Sequence, residues 1–505
     1  MKQNLFEVRF NEATEKYRGY LKTKNHALLA ESIQLFEKLL NFDPHHKRVP
    51  LLMAESMLYS GNTGLTVHLL RSYLQDFPND WIALMHLGAA YRKENFIEKT
   101  KECWNKALEC NVDDAQKGLT CYNMSGIYAD SGEPEEAIRW VHEAIDLGYK
   151  DPLVYWHESL ALLSMGKLKE GFDLYRFRKQ MPSWHERKGV VASHKWDGKS
   201  ALTIDCNDMY VHGEQGVGDE VMFLAAFSEL VSNGFTDKCY VVLEVNKKVQ
   251  GLAAESFNHY KNIKVVNKEP DGNIRTVDCD LKISLGDLYA GIYGERWYSR
   301  PASEKRRYLF IGGEVYKPVA KTIMHQISDK NKHGLRVGLA WVGGTRETRI
   351  ESRSYELSCY DEILNSDDFD CFNLQYHAFK EIEDECKEYE GKLKRISPEA
   401  EGGDLLVQGA AAMAMSFVVT NQQTLAHVCG ALGVRCYAFI PHNPQWRYGK
   451  SGSHMPWYGN HVTLLRKPKT ISWDVFIKAE LRLIMEKEIV RAEQAETDNK
   501  YTTEG

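Results

Sequence analysis

Apolar residues recur at helical spacing in the first third of the chain. The positions i, i+3, i+6, i+7 and i+10 of one such stripe are Trp81, Leu84, Leu87, Gly88 and Tyr91. This spacing places them on one face of an amphipathic helix, where the small Gly88 would let a second helix approach closely. We expect that second helix over residues 96–108.

Turn signals recur at a regular interval in the same region. Asp43-Pro44, Phe77-Pro78 and Asn111-Val112 are separated by about 34 residues, which is the period of tetratricopeptide helix pairs. A further unit has Pro134 in the first turn of its second helix, and another begins near Leu153.

The pattern predicts a tetratricopeptide-like helical repeat domain over residues 1–180. Such arrays either present a concave surface to a polypeptide or serve as a scaffold or self-association arm. The sequence leaves both interpretations open.

The hydrophobic pattern changes after about residue 179, where short apolar runs begin to alternate with helical segments. In the next region we predict a strand that ends at 210–211, further strands at 239–245 and 263–266, and a helix over 221–231. This alternation indicates a parallel sheet covered on both faces. We expect a Rossmann-like lobe over residues 181–325.

A second series of the same kind follows. Its predicted strands are 335–341, 372–375, 417–420 and 435–440, and its helices include 404–413 and 424–432. It predicts a second lobe with a C-terminal helix over 326–505, after a linker at 316–334 and before a frayed polar tail beyond Ala492. Two such lobes imply a cleft where the carboxyl ends of both sheets face one ligand.

Composition narrows the class of protein. The chain has 505 residues, 43% hydrophobic and 27% charged, and a formal net charge of −6, which gives no general attraction to nucleic acid or anionic membrane. Its 11 cysteines form no CxxC pair. The sequence shows neither a signal peptide nor the roughly 18 uncharged residues of a membrane span, so we expect a cytoplasmic protein, bacterial or in the host cytoplasm if phage-encoded.

The sharpest local motif is a glycine-rich loop between a strand and a helix. It reads His212-Gly-Glu-Gln-Gly-Val-Gly-Asp219, and its glycines permit a tight turn and a close approach to a ligand. Asp219 lies at the helix start, where a carboxylate either caps the helix or faces the cleft. The candidate acceptor-side residues of this loop are His212, Glu214, Gln215, Gly216 and Gly218.

Two further motifs suit a diphosphate. In Thr420-Asn-Gln-Gln-Thr-Leu-Ala-His427, the amides of a helix N-terminus and the Thr424 hydroxyl would bind phosphate, whereas His427 alone is typical of a core histidine. After Trp341-Val-Gly-Gly344 come three arginines whose guanidinium groups match phosphate oxygens, although solvated surface arginines give the same pattern. The donor-side candidates here are Gly343, Arg346, Arg349, Arg353 and Gln375.

Asp278-Cys-Asp280 matches the acid-x-acid motif of metal-dependent sugar transferases. We interpret it instead as part of an internal strand, because the flanking residues 277–285 are strand-like. We therefore expect neither a metal site nor a cofactor.

Together these segments resemble bacterial and phage tetratricopeptide-glycosyltransferase proteins, whose catalytic part is similar to glycosyltransferase family 9, the ADP-heptose transferases, and more distantly to O-GlcNAc transferase. The resemblance covers most of the chain. The segments that carry it are Gly171–Arg178, Gly213–Asp219, Arg353-Ser354 with Leu357, Leu425–His427, Gly430–Gly433, Pro444–Arg447 and Pro456–Tyr458.

The resemblance implies a GT-B-type pair of lobes with Asp219 as the general base. It places the donor diphosphate at Gln423, Thr424, Leu425 and His427. The family commonly has Asp-Thr where this chain has Gln422-Gln423, so an amide replaces a carboxylate contact to the donor.

The expected function is metal-independent, inverting transfer of a sugar from a nucleotide-diphosphate donor to a hydroxyl of a glycan, protein or modified nucleic acid. One alternative is a catalytically degenerate repeat scaffold. Another is a phage-type glycosyltransferase that acts on hydroxymethylated DNA bases.

Overall fold

A computed structural model describes residues 2–181, 184, 189–196, 206–234, 236–268, 277–293, 307–327, 334–344, 350–376, 380–397 and 402–503. The chain forms two compact units, Met1–Ala161 and Leu162–Gly505. The boundary comes before residue 180, where the sequence pattern placed the end of the repeats.

The first unit consists of antiparallel helix pairs. Its helices are α1 (Lys2–Thr23), α2 (His26–Phe42), α3 (Val49–Ser60), α4 (Thr63–Asp76), α5 (Trp81–Lys93), α6 (Ile97–Glu109), α7 (Asp114–Asp130), α8 (Pro134–Asp146) and most of α9 (Leu153–Ser164). The predicted turns at residues 43, 77 and 111 each fall between successive pairs. The tetratricopeptide-like character of this unit is confirmed.

Helix pairing in the repeats follows from the side chains that the pattern singled out. A Cβ on Gly88 would lie 2.2 Å from Nε1 of Trp104, so only glycine lets α5 approach α6 this closely. Asp80 caps α5 by accepting from the Ala83 amide at 3.0 Å. Asp113 and Gln116 form a capping box at the start of α7.

The second unit begins with a helical segment and a five-stranded parallel sheet in the order β1-β5-β2-β3-β4. The elements of this part are α10 (Leu168–Leu174), a 3₁₀ helix (Tyr175–Gln180), β1 (Val190–Lys195), β2 (Asp208–His212), α11 (Val217–Ser232), β3 (Tyr240–Val245), α12 (Lys247–Phe257), β4 (Ile263–Asn267), β5 (Val277–Ser284) and α13 (Leu285–Tyr293).

The second sheet has six parallel strands in the order β11-β10-β9-β6-β7-β8. The remaining elements are α14 (Gly313–Met324), β6 (Leu335–Leu339), α15 (Ile350–Arg353), a 3₁₀ turn (Leu357–Tyr360), α16 (Asp361–Leu364), β7 (Phe369–Asn373), α17 (Lys380–Glu388), β8 (Leu393–Lys394), α18 (Leu405–Met413), β9 (Phe417–Asn421), α19 (Thr424–Leu432), β10 (Cys436–Ile440), 3₁₀ turns at Trp446–Tyr448 and Gly459–His461, β11 (Val462–Arg466) and α20 (Trp473–Thr503).

Two predictions about irregular segments were wrong. The expected linker at 316–334 is helical as far as Met324, because α14 accommodates Pro318 in its interior and buries Ile323. The expected frayed tail beyond Ala492 instead continues α20, which packs Phe476, Ile477 and Leu481 into the core of the second sheet. Among the described residues, no helix is both long and apolar enough to cross a membrane.

Candidate functional site

The glycine-rich loop joins the carboxyl end of β2 to the start of α11. Its backbone turns sharply at Gln215, which has a left-handed φ of 62°. A Cβ on Gly213 would lie 2.3 Å from the Glu220 carboxylate, so a larger residue there would displace that carboxylate. Local sequence therefore explains the tight turn, although not the positive φ of a glutamine.

Glu214 is held in a buried ion pair and is not directed toward a ligand. Its two carboxylate oxygens accept from Nη2 and Nε of Arg178 at 2.5 and 2.7 Å. Arg178 also donates to Ser284 and to Asp287, at 3.2 and 2.8 Å. Although burial opposes ionisation, Arg178 and Lys179 hold the pKa of Asp287 below its ordinary value.

Asp219 lies in the first turn of α11, three residues after Gly216. One carboxylate oxygen accepts from the Gly216 amide at 3.2 Å, and the other accepts from Nε of Arg447. Burial raises the pKa of Asp219, while the Arg447 guanidinium and these hydrogen bonds oppose the shift. Asp219 is therefore a buried carboxylate with a raised pKa, bonded to a cation from the other sheet.

Two other titratable groups lie at the same sheet edge. Burial lowers the pKa of His212 to about 4, so its imidazole is neutral at pH 7. Burial raises the pKa of Glu220 to about 7, and one of its oxygens accepts from the Asn246 amide at 2.6 Å. Glu220 thus ties the end of β3 to α11.

The loop between β9 and α19 contains amides and a hydroxyl but no carboxylate. Gln423 donates to Thr420 and Asn421 at 3.0 and 2.6 Å, and Asn421 donates to the carbonyl oxygens of Trp341 and Arg353. Gln422 is 2% exposed, and its Oε1 has no hydrogen-bond partner among the described atoms. Among the described residues, no side chain caps the start of α19. Its first amides therefore remain available to an anion.

The turn after β6 packs directly against this loop. A Cβ on Gly343 would lie 2.9 Å from the Gln422 carbonyl oxygen, and one on Gly344 would overlap the Arg353 guanidinium. Arg353 is 6% exposed and donates to the Gln422 carbonyl at 3.4 Å. Of the three arginines considered from sequence, the structure brings Arg353 to the site, while Arg346 and Arg349 lie outside the described residues.

Gln375, which follows β7, forms hydrogen bonds that stabilise the turn after β6. Its Oε1 accepts from the Trp341 and Val342 amides at 2.8 Å each, and its Nε2 donates to the Val342 and Tyr376 carbonyls at 2.9 Å each. Both groups of its side-chain amide are therefore used within the fold, where they stabilise the turn after β6.

The two loops face each other at the N-termini of α11 and α19. A Cβ on Gly218 would lie 3.3 Å from the His427 ring and 3.4 Å from the Thr424 hydroxyl. Arg447, between β10 and β11, reaches Asp219 with Nε and Gln215 with Nη2, the latter at 3.4 Å. The proposed acceptor and donor residues are thus brought together, with Arg447 between them.

His427 behaves as a core histidine with both ring nitrogens bonded. Nδ1 lies 2.8 Å from the Tyr458 hydroxyl, and Nε2 lies 3.3 Å from the Tyr448 hydroxyl. Burial, reinforced by Arg447, lowers the pKa of His427 to about 3. Leu425 is 1% exposed, so it can offer a ligand only its backbone amide.

Asp278 and Asp280 lie on β5, as the strand interpretation predicted. Asp280 accepts from the Asn207 amide at 2.7 Å, next to the start of β2. This places the acid-x-acid triplet at the amino end of the first sheet, on the opposite edge from Asp219.

A cavity of about 540 Å³ also lies away from the facing loops. Its lining includes Ser416 and Arg435, which immediately precede β9 and β10. It therefore opens at the amino edge of the second sheet, whereas Gln422 follows the carboxyl end of β9.

Sequence reasoning did not assign roles to Arg178, Glu220 or Arg447. Arg178 and Arg447 end two of the segments that carry the family resemblance, and that was the available signal. Their partners are 36 and 228 positions away along the chain, so the ion pairs themselves could not be found from local patterns.

Comparison with known proteins adds structural similarity for one part of the chain. No family model matches the sequence, and no curated protein matches it. MamA, known from a crystal structure, shares 16% sequence identity with this chain at a TM-score of 0.29, and the match covers 36% of this chain and 97% of MamA. A thermophilic TPR protein from Thermus thermophilus is 19% identical (TM-score 0.28; 34% and 91% covered). Pseudomonas aeruginosa PilF is 15% identical (TM-score 0.31; 35% and 78% covered).

Proposed function

We propose that the second unit is a GT-B-type glycosyltransferase that moves a sugar from a nucleoside-diphosphate donor to an acceptor hydroxyl with inversion. The observation that carries this proposal is the meeting of two unlike strand-loop-helix connections. One supplies a buried carboxylate at Asp219, and the other supplies an uncapped helix N-terminus next to Arg353.

In the proposed reaction, Asp219 accepts the proton of the acceptor hydroxyl as its oxygen attacks the anomeric carbon. The bond between that carbon and the diphosphate oxygen breaks, and the diphosphate leaves with the electron pair. A carboxylate has about four lone-pair sites, so the bonds from Arg447 and Gly216 leave Asp219 able to accept this proton.

The leaving diphosphate would be stabilised by the second connection. The first amides of α19, the Thr424 hydroxyl and the Arg353 guanidinium supply fixed donors and positive charge. Glycines at 343 and 344 keep the neighbouring turn close to the loop. The donor sugar itself would meet Gln422 and Gln423 where related enzymes have Asp-Thr.

The repeats of the first unit would recruit the acceptor or associate with a protein partner. In a soluble variant that lacks residues 1–150, donor hydrolysis should then persist while acceptor transfer falls. Equal retention of both activities would remove the recruiting role.

The test of function is nucleotide release from a panel of UDP-, ADP-, GDP- and dTDP-sugars by the full-length protein. We expect one donor to be hydrolysed or transferred, and we expect the activity to persist in EDTA because protein groups carry the diphosphate charge. Absence of release from every donor, with no nucleotide raising the melting temperature, would favour the scaffold alternative. Retarded migration of hydroxymethylated DNA with a steep salt dependence would favour the DNA-modifying alternative.

A further inference from the structure

The glycine-rich loop is bonded to the 3₁₀ helix that follows α10. Arg178 and Tyr175 of this short segment form hydrogen bonds with two successive loop residues, Glu214 and Gln215 respectively. The segment belongs to the second compact unit, although its sequence looks like the close of the repeats.

Arg178 holds Glu214 by two parallel hydrogen bonds, from its Nε and Nη2, to the two carboxylate oxygens. It is 2% exposed, and Glu214 is 4% exposed. Its remaining nitrogen, Nη1, donates to the Tyr175 carbonyl at 3.0 Å, so the fork is oriented by its own segment. A Cβ on Gly286 would lie 2.0 Å from the Glu214 carboxylate, which shows how closely α13 encloses this pair.

Tyr175 fixes the second residue. Its hydroxyl accepts from Nε2 of Gln215 at 2.7 Å, while Oε1 of Gln215 accepts from Nη2 of Arg447 at 3.4 Å. Gln215 has the left-handed φ of 62°, a conformation that a non-glycine residue keeps only when its surroundings impose it. The bond from Gln215 to Tyr175 is one such restraint.

We propose that Tyr175 and Arg178 are positioning residues for the glycosyltransferase site, and that they hold the glycine loop in the shape that aims Asp219. They act through Gln215 and Glu214 and touch no reacting atom. The inference rests on the proposed function. It also assigns the segment from Leu168 to Gln180 to the catalytic machinery rather than to the repeats.

The test uses Tyr175→Phe in the full-length chain. This variant loses the hydroxyl but keeps the ring, which packs edge-on against Phe223 and Trp446. The matched control is Tyr437→Phe, because Tyr437 is also buried and its hydroxyl bonds Glu488 at 2.6 Å in the second sheet. The first readout is hydrogen exchange of the amides of residues 212–219, and the second is kcat and nucleotide Kd with the donor identified in the panel.

We expect exchange of the loop amides in Tyr175→Phe to rise about five-fold, the population change for one lost hydrogen bond. We also expect kcat to fall by a similar factor, with nucleotide Kd unchanged. The control should alter neither quantity. Because Arg178→Gln would leave a buried carboxylate unpaired and could unfold the chain, Arg178→Lys is the second variant, with loop exchange as its readout.

Unchanged loop exchange in both Tyr175→Phe and Arg178→Lys would overturn the positioning role. Raised exchange with unchanged kcat would also overturn it, because the loop would then be held without consequence for catalysis. If loop exchange rises in the variants but the parent releases nucleotide from no donor, the proposed function is wrong, while the structural restraint on the loop is confirmed.

Discussion

The two strand-loop-helix connections at the centre of the second unit share a backbone plan but differ in chemistry. The connection from β2 to α11 contains Glu214 and Asp219 and is followed by Glu220. The connection from β9 to α19 instead has amide and hydroxyl side chains, including Gln422 and Thr424. One loop is acidic and the other carries no carboxylate.

The difference determines what each helix N-terminus can do. In α11, the Asp219 carboxylate accepts from the Gly216 amide, so the helix already has its own anion. In α19, no side chain of the described part of the chain caps the first turn, so its amides are available to an external anion. Under the proposed function, the first connection therefore supplies the proton acceptor and the second binds the diphosphate.

The largest effect is expected from removing the base of the acidic loop. In Asp219→Asn, turnover should fall by about 10²–10⁴-fold, because the carboxylate that accepts the proton is lost. Nucleotide affinity should stay unchanged, since the proposed diphosphate site is in the other loop. Stability should fall by about 3 kcal/mol, because Arg447 loses its buried partner, so rates must be measured well below the melting temperature.

The control for this change is Asp280→Asn, at the opposite edge of the first sheet, which should leave turnover unaltered. Near-normal turnover in Asp219→Asn would assign Asp219 a helix-capping role. Glu220, with a pKa of about 7, would then be the carboxylate to replace next.

The second prediction makes the neutral loop acidic. Thr424→Asp keeps a side chain of similar size and places a carboxylate at the first position of α19, where the diphosphate is expected. Repulsion should weaken nucleotide-diphosphate binding by about ten-fold or more, measured by titration calorimetry. Unaltered affinity would show that the diphosphate lies elsewhere.

The third prediction concerns His427, whose pKa is lowered by burial to about 3 from an ordinary value of 6.5. Below pH 6.5 His427 is protonated in the unfolded chain but stays neutral in the folded chain. The free energy of unfolding is therefore highest above that pH and falls as the pH is lowered. The loss between pH 7 and 4.5 should be about 2–3 kcal/mol from this group alone.

Urea unfolding of the parent and of His427→Gln at pH 7 and pH 4.5 measures this loss of stability. The variant should lose less stability on acidification than the parent, whatever its stability at pH 7. Replacing the exposed His45 in the same way should leave the parental difference intact. Equal acid losses in all three proteins would contradict the burial of a neutral His427.

The smallest effect tests how closely the two helix N-termini approach. Gly218 and Gly64 are each the second residue of a helix. A Cβ added to Gly218 would lie 3.3 Å from His427, whereas one added to Gly64 would meet no described atom within 4 Å. Gly64→Ala should therefore stabilise by about 0.5–1 kcal/mol. Gly218→Ala should fall short of that gain by about 1 kcal/mol, measured by urea unfolding. Equal gains would mean that the helices are not in contact.

The sequence predicted most strands of both sheets, because buried parallel strands read as short apolar runs bounded by turns. It did not predict β1, β8 or β11, which are all outer strands of their sheets. It missed α14, since Pro318 and the nearby lysines are typical of a linker, while the helix is stabilised by packing of Ile323. The glycine loop and the Thr424 helix were found from local motifs. Arg447 and Arg178 were not, because their ion pairs join distant positions that only the packed fold brings together.

The most direct test of this division of roles is nucleotide affinity in three proteins: the parent, Asp219→Asn and Thr424→Asp. Calorimetric titration with UDP, ADP, GDP and dTDP should find one diphosphate that binds the parent and Asp219→Asn equally and binds Thr424→Asp at least about ten-fold more weakly. Affinity lost in Asp219→Asn but kept in Thr424→Asp, or no binding of any diphosphate by the parent, would contradict these roles.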